Sequence, residues 1–210
     1  MSTIGRYVAG IGLSLCAGAG LARAQTPSGE PPVRIGLGGG FSVPTSYADS
    51  TFKTGWHGQG FLLFNLGPLL HLGTAIPAIR LDVGYQHFGF KNPLAGAEAP
   101  QFAGSNAEAA ATSTILSGLA TLRLNLAQGG RIRPYLLAGL GAFHVAVDSA
   151  GGAGSASQTH FGIDGGGGIA LDLGRVDFFV EGKVQNVYTD QGVINSKSIR
   201  YIPITFGLVF

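Results

Sequence analysis

The C-terminal stretch Tyr201-Ile-Pro-Ile-Thr-Phe-Gly-Leu-Val-Phe210 decides the fold of this chain. Side chains of an extended strand alternate between two faces, so the large apolar residues of this stretch share one face. They are Ile202, Ile204, Phe206, Leu208 and Phe210. A strand with lipid on one side and a packed lumen on the other has this pattern. The stretch therefore predicts the closing strand of a membrane barrel.

Residues 1–24 have the features of a secretory signal peptide. Arg6 supplies the positive start, residues 7–21 form an uncharged apolar run, and Ala22 and Ala24 are the small residues that precede a cleavage site. The run is shorter than the roughly 20 residues that a membrane-spanning helix needs. Cleavage would remove Cys16, the only cysteine, and leave a mature chain without disulfide or thiol chemistry. We expect an exported chain in which residues 25–32 are a short periplasmic leader and residues 33–210 are the barrel.

The composition favours a membrane protein without helical spans. Only 11% of the residues are charged, the mean hydropathy is +0.30 and there are 36 glycines. Soluble domains carry roughly 25% charged residues. The mature chain has no run of about 18 uninterrupted apolar residues, and only helices and closed barrels satisfy every backbone group in lipid. The formal net charge of +2 is too small to indicate a nucleic-acid partner.

Eight apolar segments with strand-like alternation follow one another along the mature chain. They cover residues 33–42, 56–66, 79–90, 113–126, 132–147, 159–173, 176–188 and 199–210. Long connections alternate with short ones, although the second connection, residues 67–78, is longer than a tight turn. Barrels of the outer membrane have long external loops, short periplasmic turns and an even strand number. The sequence predicts an all-β, eight-stranded antiparallel up-and-down transmembrane β-barrel.

The polar faces of these segments carry a nearly balanced set of charges. The set is Arg34, Arg80, Asp82, Arg123, Asp164, Asp172, Asp177, Glu181 and Lys183. The four basic and five acidic residues are nearly balanced in number. This balance favours an enclosed network, because buried charges must be paired. An eight-stranded interior is narrow enough to be filled by side chains, so we predict a filled lumen. Two alternatives stay open: a narrow porin-like channel, and a soluble lipocalin-type barrel whose apolar face would line a ligand cavity.

Aromatic residues near the strand ends predict two interfacial belts. Those expected near the outer rim are Trp56, Tyr85, Phe88, Phe143 and Tyr188; those expected near the periplasmic rim are Phe64, Phe178 and Phe210. Aromatic rings are enriched at both membrane–water interfaces. Core packing in a soluble barrel explains single aromatics equally well, so only the two-belt distribution discriminates.

The chain resembles the OmpA/OmpX-like family of small outer-membrane β-barrel domains. The segments that carry the resemblance are residues 55–57, 81–85, 133–141, 179–182 and 202–210. The resemblance implies a monomer in the outer membrane of a Gram-negative-type (diderm) bacterium, in contact with outer-membrane lipid and lipopolysaccharide. It also implies insertion by the outer-membrane assembly machinery, with Phe206, Leu208 and Phe210 as the C-terminal signal. It implies no shared activity, because one fold hosts many functions.

Residues that could carry chemistry give weak signals. The glycine runs lack the strand–loop–helix context of a phosphate site, and the five histidines lack metal-ligand spacing, so no cofactor or metal is expected. His87 is the candidate base of an alternative function, a lipid A-modifying acylase or acyltransferase, but no serine or carboxylate lies at a spacing that predicts a triad. We expect a non-enzymatic structural or adhesion-like role, with an unidentified surface ligand bound by loops such as residues 91–112.

Overall fold

Eight antiparallel strands close into a single barrel. The computed structural model describes residues 32–45, 52–67, 75–89, 112–127, 130–148, 155–188 and 198–210. The strands are β1 (Val33–Thr45), β2 (Gly55–Asn65), β3 (Ile76–Gly89), β4 (Thr112–Asn125), β5 (Ile132–Asp148), β6 (Ser155–Asp172), β7 (Asp177–Tyr188) and β8 (Ser198–Val209). Each strand pairs with the next, and β1 pairs with β8. The predicted strand number and topology are confirmed.

Two strands begin earlier than the sequence pattern suggests. β6 starts at Ser155, which pairs with Asp148, because the β5–β6 hairpin continues through a stretch of small residues that shows no alternation. β3 starts at Ile76 and includes Pro77. The proline lacks an N–H group but its carbonyl accepts a hydrogen bond from the Leu66 N–H at 3.0 Å. The turn between β2 and β3 is therefore shorter than predicted.

The connections distinguish two ends of the barrel. The loop end carries the connections 46–54, 90–111, 149–154 and 189–197, and the turn end carries 66–75, 126–131 and 173–176. Both barrel termini lie at the turn end, where the Phe210 N–H donates to the Ile35 carbonyl at 2.8 Å. The predicted signal peptide, most of the leader and the predicted loop from residue 91 to residue 111 lie outside the described residues.

The turn between β6 and β7 is tight because of one glycine. Gly174 has φ of 96°, a left-handed conformation that glycine adopts without steric cost. The Leu173 N–H donates to the Val176 carbonyl at 3.0 Å, and the Gly174 N–H donates to the Asp172 carboxylate at 2.7 Å. The predicted two-residue turn at Gly174 and Arg175 lies in this four-residue connection.

Apolar side chains cover the outer wall of the barrel. On β3, Leu81 and Val83 are 46% and 62% exposed, whereas Arg80 and Asp82 are 0% and 3% exposed. The same alternation holds on β8, where Phe206 is exposed and Thr205 is buried. An apolar surface that surrounds the molecule is far larger than the patches of soluble monomers. The lipocalin-type alternative, which needs the apolar face inside, is therefore wrong.

The interior is packed in layers along the barrel axis. A loop-end apolar layer consists of Phe52, Phe88, Ile115, Leu119, Phe143, Val145, Val187, Ile199 and Tyr201. A polar and charged layer fills the middle. Two apolar clusters lie toward the turn end: Phe61, Leu63, Ala78, Phe179 and Val209, and then Tyr135, Leu137 and Ala170. The described residues contain no helix long and apolar enough to cross a membrane.

Replacing Gly168 with alanine is expected to destabilise the barrel by about 1–3 kcal/mol, because the site is already full. A methyl group there would lie 2.6 Å from the Val180 carbonyl oxygen and 2.6 Å from Cζ of Tyr135. Gly182 faces outward with no neighbouring atom within 4 Å of such a methyl group, so Gly182→Ala is the matched control. Urea unfolding in vesicles measures both variants, and equal midpoints would contradict the packing described.

Candidate functional site

The middle of the barrel holds a central charge cluster made of Arg80, Asp82, Asp164, Glu181 and Lys183. Arg80 is fully buried and binds Glu181 through two hydrogen bonds, Nη1 to Oε2 at 2.6 Å and Nη2 to Oε1 at 2.9 Å. Its Nε donates to Oδ1 of Asp82 at 2.7 Å. β3 and β7 lie on opposite sides of an eight-stranded barrel. The Arg80–Glu181 pair therefore bridges the lumen.

Lys183 and Tyr135 also contact the buried carboxylates of the central charge cluster. Nζ of Lys183 lies 3.1 Å from Oδ2 of Asp164 and 3.7 Å from Oε1 of Glu181, ion pairs without good hydrogen-bond alignment. The Tyr135 hydroxyl donates to Oε2 of Glu181 at 3.1 Å. Because Glu181 accepts hydrogen bonds from both Arg80 and Tyr135, its negative charge is compensated inside the lumen.

Two aromatic rings support guanidinium groups beside the central charge cluster. The Arg80 guanidinium carbon lies 4.0 Å from the centre of the Phe61 ring, and that of Arg123 lies 3.8 Å from the centre of the Tyr135 ring. Cations attract the negative face of an aromatic ring, most strongly where water is excluded. Arg123 also donates from Nε to Oδ1 of Asn125 at 2.9 Å. Among the described residues, Arg123 is thus held by a ring contact and an amide and has no carboxylate at ion-pair distance.

A second group of charges, the mouth cluster, lies at the turn end and consists of Arg34, Arg133 and Asp177. Nη1 of Arg34 and Nη2 of Arg133 each lie 2.5 Å from Oδ2 of Asp177. Arg34 also donates from Nη2 to the Val209 carbonyl at 3.2 Å. Seven of the nine charged residues predicted for the interior therefore belong to these two clusters. Of the other two, Arg123 lies on the Tyr135 ring and Asp172 lies at the β6–β7 turn.

Sequence reasoning missed Arg133 and Tyr135 as members of these clusters. β5 is apolar on both faces, so its alternation did not reveal which residues point inward. Arg133 pairs with Asp177 although β6 separates their strands. A contact between non-neighbouring strands across the lumen leaves no spacing signal in the sequence.

The aromatic residues divide into exposed and interior groups. Trp56, Tyr188 and Phe210 are 55%, 47% and 53% exposed, and Tyr85 and Phe178 are half-buried. The Trp56 ring centre lies 5.5 Å from that of Tyr85, and Phe161 stacks on Tyr188 at 6.3 Å.

The interface prediction is wrong for Phe88 and Phe143. Both are buried in the loop-end apolar layer. Phe88 shares the inward parity of Arg80 and Gln86, so the strand alternation turns its ring into the lumen. Phe143 lies on β5, whose inward face is apolar near the loop end as well as its outward face.

Three of the described histidines, His57, His87 and His144, contact hydroxyl groups or an aromatic ring. His57 is buried, with Nδ1 3.0 Å from the Ser42 hydroxyl and Nε2 2.9 Å from the Thr205 hydroxyl. His87, the candidate base of the lipid A-modifying alternative, faces outward 5.7 Å from the Trp56 ring. Within the described residues no group of three or more His, Cys, Asp or Glu side chains could hold a metal ion.

A cavity of about 10 Å³ lies beside the central charge cluster, and this size admits about one water molecule. His57, Gln59, Asp82, Gln86, Ser117 and Gln185 are among its lining residues. Among the described residues, three side-chain atoms of these lining residues have no hydrogen-bond partner: Nε2 of Gln59, Oδ2 of Asp82 and Oε1 of Gln86. The cavity is a polar pocket large enough for about one water molecule, and it is not a passage through the barrel.

Comparisons with known proteins agree with this geometry. Residues 14–210 match the family model described as outer membrane protein beta-barrel domain. The crystal structure of neisserial surface protein A is similar to this one with a TM-score of 0.59, and the two sequences are 15% identical. The alignment covers 87% of this chain and 98% of that chain. At this identity the likeness shows the shared fold.

Two further solved structures are similar at lower scores. Ail, the attachment invasion locus protein of Yersinia pestis, in complex with the heparin analogue sucrose octasulfate, is 12% identical with a TM-score of 0.44 over 85% of this chain and 96% of that one. The N-terminal β-barrel domain of Pseudomonas aeruginosa OprF is 14% identical with a TM-score of 0.43 over 85% and 96%. No curated protein matches the sequence.

Proposed function

The chain belongs to the family of outer membrane protein β-barrel domains, and we propose that it is a closed, non-enzymatic barrel that works through its loops at the cell surface. The observation that supports this proposal is the filled interior. A path along the axis meets the loop-end apolar layer and then the Arg80–Glu181 bridge. With the lumen closed, the loops are the part of the molecule that remains for binding a partner outside the cell.

The proposal includes the place of the protein in the cell. We infer the outer membrane of a diderm bacterium, where the exposed Leu, Ile, Val and Phe side chains contact lipid and lipopolysaccharide. Phe206, Leu208 and Phe210 form an exposed apolar row at the end of the chain. This row is the proposed signal for the assembly machinery. We expect the folded barrel to be a monomer.

A closed interior predicts no steady conductance. The purified protein, reconstituted in planar bilayers, should leave the membrane resistance unchanged at ordinary voltages, because ions would have to cross the loop-end apolar layer and separate buried ion pairs. Heat-modifiable gel migration verifies that the inserted protein is folded. Reproducible single-channel steps would contradict a closed barrel and favour the narrow porin-like alternative.

A loop-based role predicts that the second loop carries surface binding. Replacing residues 91–111 with a short Gly/Ser linker should reduce adhesion of cells that display the protein to epithelial cells or matrix proteins by tenfold or more. The matched control is a Gly/Ser replacement of residues 149–154, which keeps the length of the third loop. Adhesion unchanged after replacement of all four loops would exclude the loop-based role.

The enzyme alternative is tested separately. Replacing His87 with asparagine should leave the lipid A profile unchanged, and an altered profile would support the lipid A-modifying alternative.

A further inference from the structure

Two adjacent turns at the turn end present exposed arginines. Arg131 ends the β4–β5 connection, and Arg175 lies in the β6–β7 connection. The two turns are tied together because the Asp172 N–H donates to the Arg131 carbonyl at 2.8 Å. Both arginines are exposed, and within the described part of the chain neither has a carboxylate at ion-pair distance.

The neighbouring acids are already engaged by other groups. Asp177 is shared by Arg34 and Arg133, each with a guanidinium nitrogen at 2.5 Å. The Asp172 carboxylate accepts the Gly174 N–H at 2.7 Å. The remaining turn at this end, residues 66–75, contains no Lys, Arg, Asp or Glu. Asp172 keeps its negative charge, so the two joined turns carry two arginines, Arg131 and Arg175, against one carboxylate.

Large apolar side chains lie directly beside these arginines on the outer wall. Leu126, Ile132 and Leu173 are 41%, 60% and 63% exposed. They form one patch, because the Leu126 N–H donates to the Pro134 carbonyl at 2.9 Å and Ile132 pairs with Leu171. The apolar wall here ends at the exposed guanidinium groups of Arg131 and Arg175. This arrangement is complementary to a lipid molecule, because the acyl chains can contact the wall while an anionic headgroup contacts the arginines.

We propose that this surface, the basic rim patch of Leu126, Arg131, Ile132, Leu173 and Arg175, binds an anionic phospholipid of the inner leaflet. Short turns of outer-membrane barrels face the periplasm, which places the patch at the level of the inner-leaflet headgroups. Arg131 and Arg175 contact the phosphate, since guanidinium groups bind phosphate oxygens in paired hydrogen bonds. Leu126, Ile132 and Leu173 contact the upper part of the acyl chains.

Lipid retention tests this proposal. Protein purified in mild detergent is incubated with equal amounts of phosphatidylglycerol and phosphatidylcholine, and native mass spectrometry counts the lipids that remain bound. The wild type should retain phosphatidylglycerol in preference to phosphatidylcholine. A basic residue near an anionic lipid surface contributes roughly a fivefold gain, so Arg131→Gln with Arg175→Gln should lower the preference roughly 25-fold. Raising the salt concentration should lower it as well.

Matched variants separate this site from general charge effects. Lys53→Gln with Arg200→Gln removes two exposed bases from the loop end and should leave the preference unchanged. Ile132→Ser with Leu173→Ser should reduce the retention of both lipids together. Gel migration verifies folding of each variant. The proposal is overturned if the Arg131/Arg175 variant keeps the wild-type preference, if the loop-end variant loses as much, or if millimolar inorganic phosphate displaces the lipid as effectively as added phosphatidylglycerol.

Discussion

Replacing Arg80 with methionine is expected to destabilise the barrel by about 3–5 kcal/mol, the cost of removing one partner from a buried ion pair. Arg80 supplies two hydrogen bonds to Glu181 and one to Asp82, and all three side chains are buried. Lys183 lies 3.7 Å from Glu181 and compensates only part of the loss. Methionine keeps most of the side-chain volume beside Phe61, so the loss reports charge rather than packing.

Unfolding by urea in lipid vesicles measures this effect, with fluorescence from Trp56, the only tryptophan. Arg200→Met is the matched control, because Arg200 is exposed on β8 and its loss should change stability by no more than about 0.5 kcal/mol. Adding Glu181→Met to Arg80→Met should recover part of the stability, since the unpaired carboxylate is removed. A cost below about 1 kcal/mol for Arg80→Met would mean that the central charge cluster is hydrated rather than enclosed.

Replacing Val83 with arginine is expected to cost about 2–4 kcal/mol, the penalty for a cation at the midplane of the lipid-facing wall. Val83 lies in the middle of β3, is 62% exposed and pairs with Gly60 and Gly118. Neither glycine has a side chain that could cover the introduced charge. The arginine would therefore meet acyl chains, and the yield of folded protein should fall.

Depth dependence provides the control for this prediction. Val33 is 45% exposed at the turn end, where an arginine reaches the headgroups. Val33→Arg should cost no more than about 1 kcal/mol. Urea midpoints in vesicles compare the two variants. Equal and small costs at both positions would place water, not lipid, around the outer wall.

The sequence predicted the fold because alternation and connection length are local features. The apolar rows of β3 and β8 each contain enough residues to show a period of two, and a barrel wall with lipid outside allows few exceptions to that period. The same rule assigns Arg80 and Asp82 of β3, and Glu181 and Lys183 of β7, to the inward face of their strands.

The contacts inside the lumen could not be predicted in the same way. They join strands that are not neighbours, as Arg133 and Asp177 show, and their distances depend on the register of all intervening strands. The loop-end apolar layer was also missed. Near that end the inward face of the strands changes from polar to apolar. Apolar alternation therefore no longer distinguishes residues that face the lumen from residues that face lipid, and Phe88 and Phe143 were predicted on the wrong side of the wall.

A spin label at residue 83 tests most directly whether the apolar wall contacts lipid. The predicted mature chain has no cysteine, so Val83→Cys provides a single attachment point. In vesicles the nitroxide should collide often with oxygen, which dissolves in acyl chains, and rarely with a water-soluble nickel chelate. Frequent collisions with the nickel chelate and few with oxygen would contradict a lipid-facing wall.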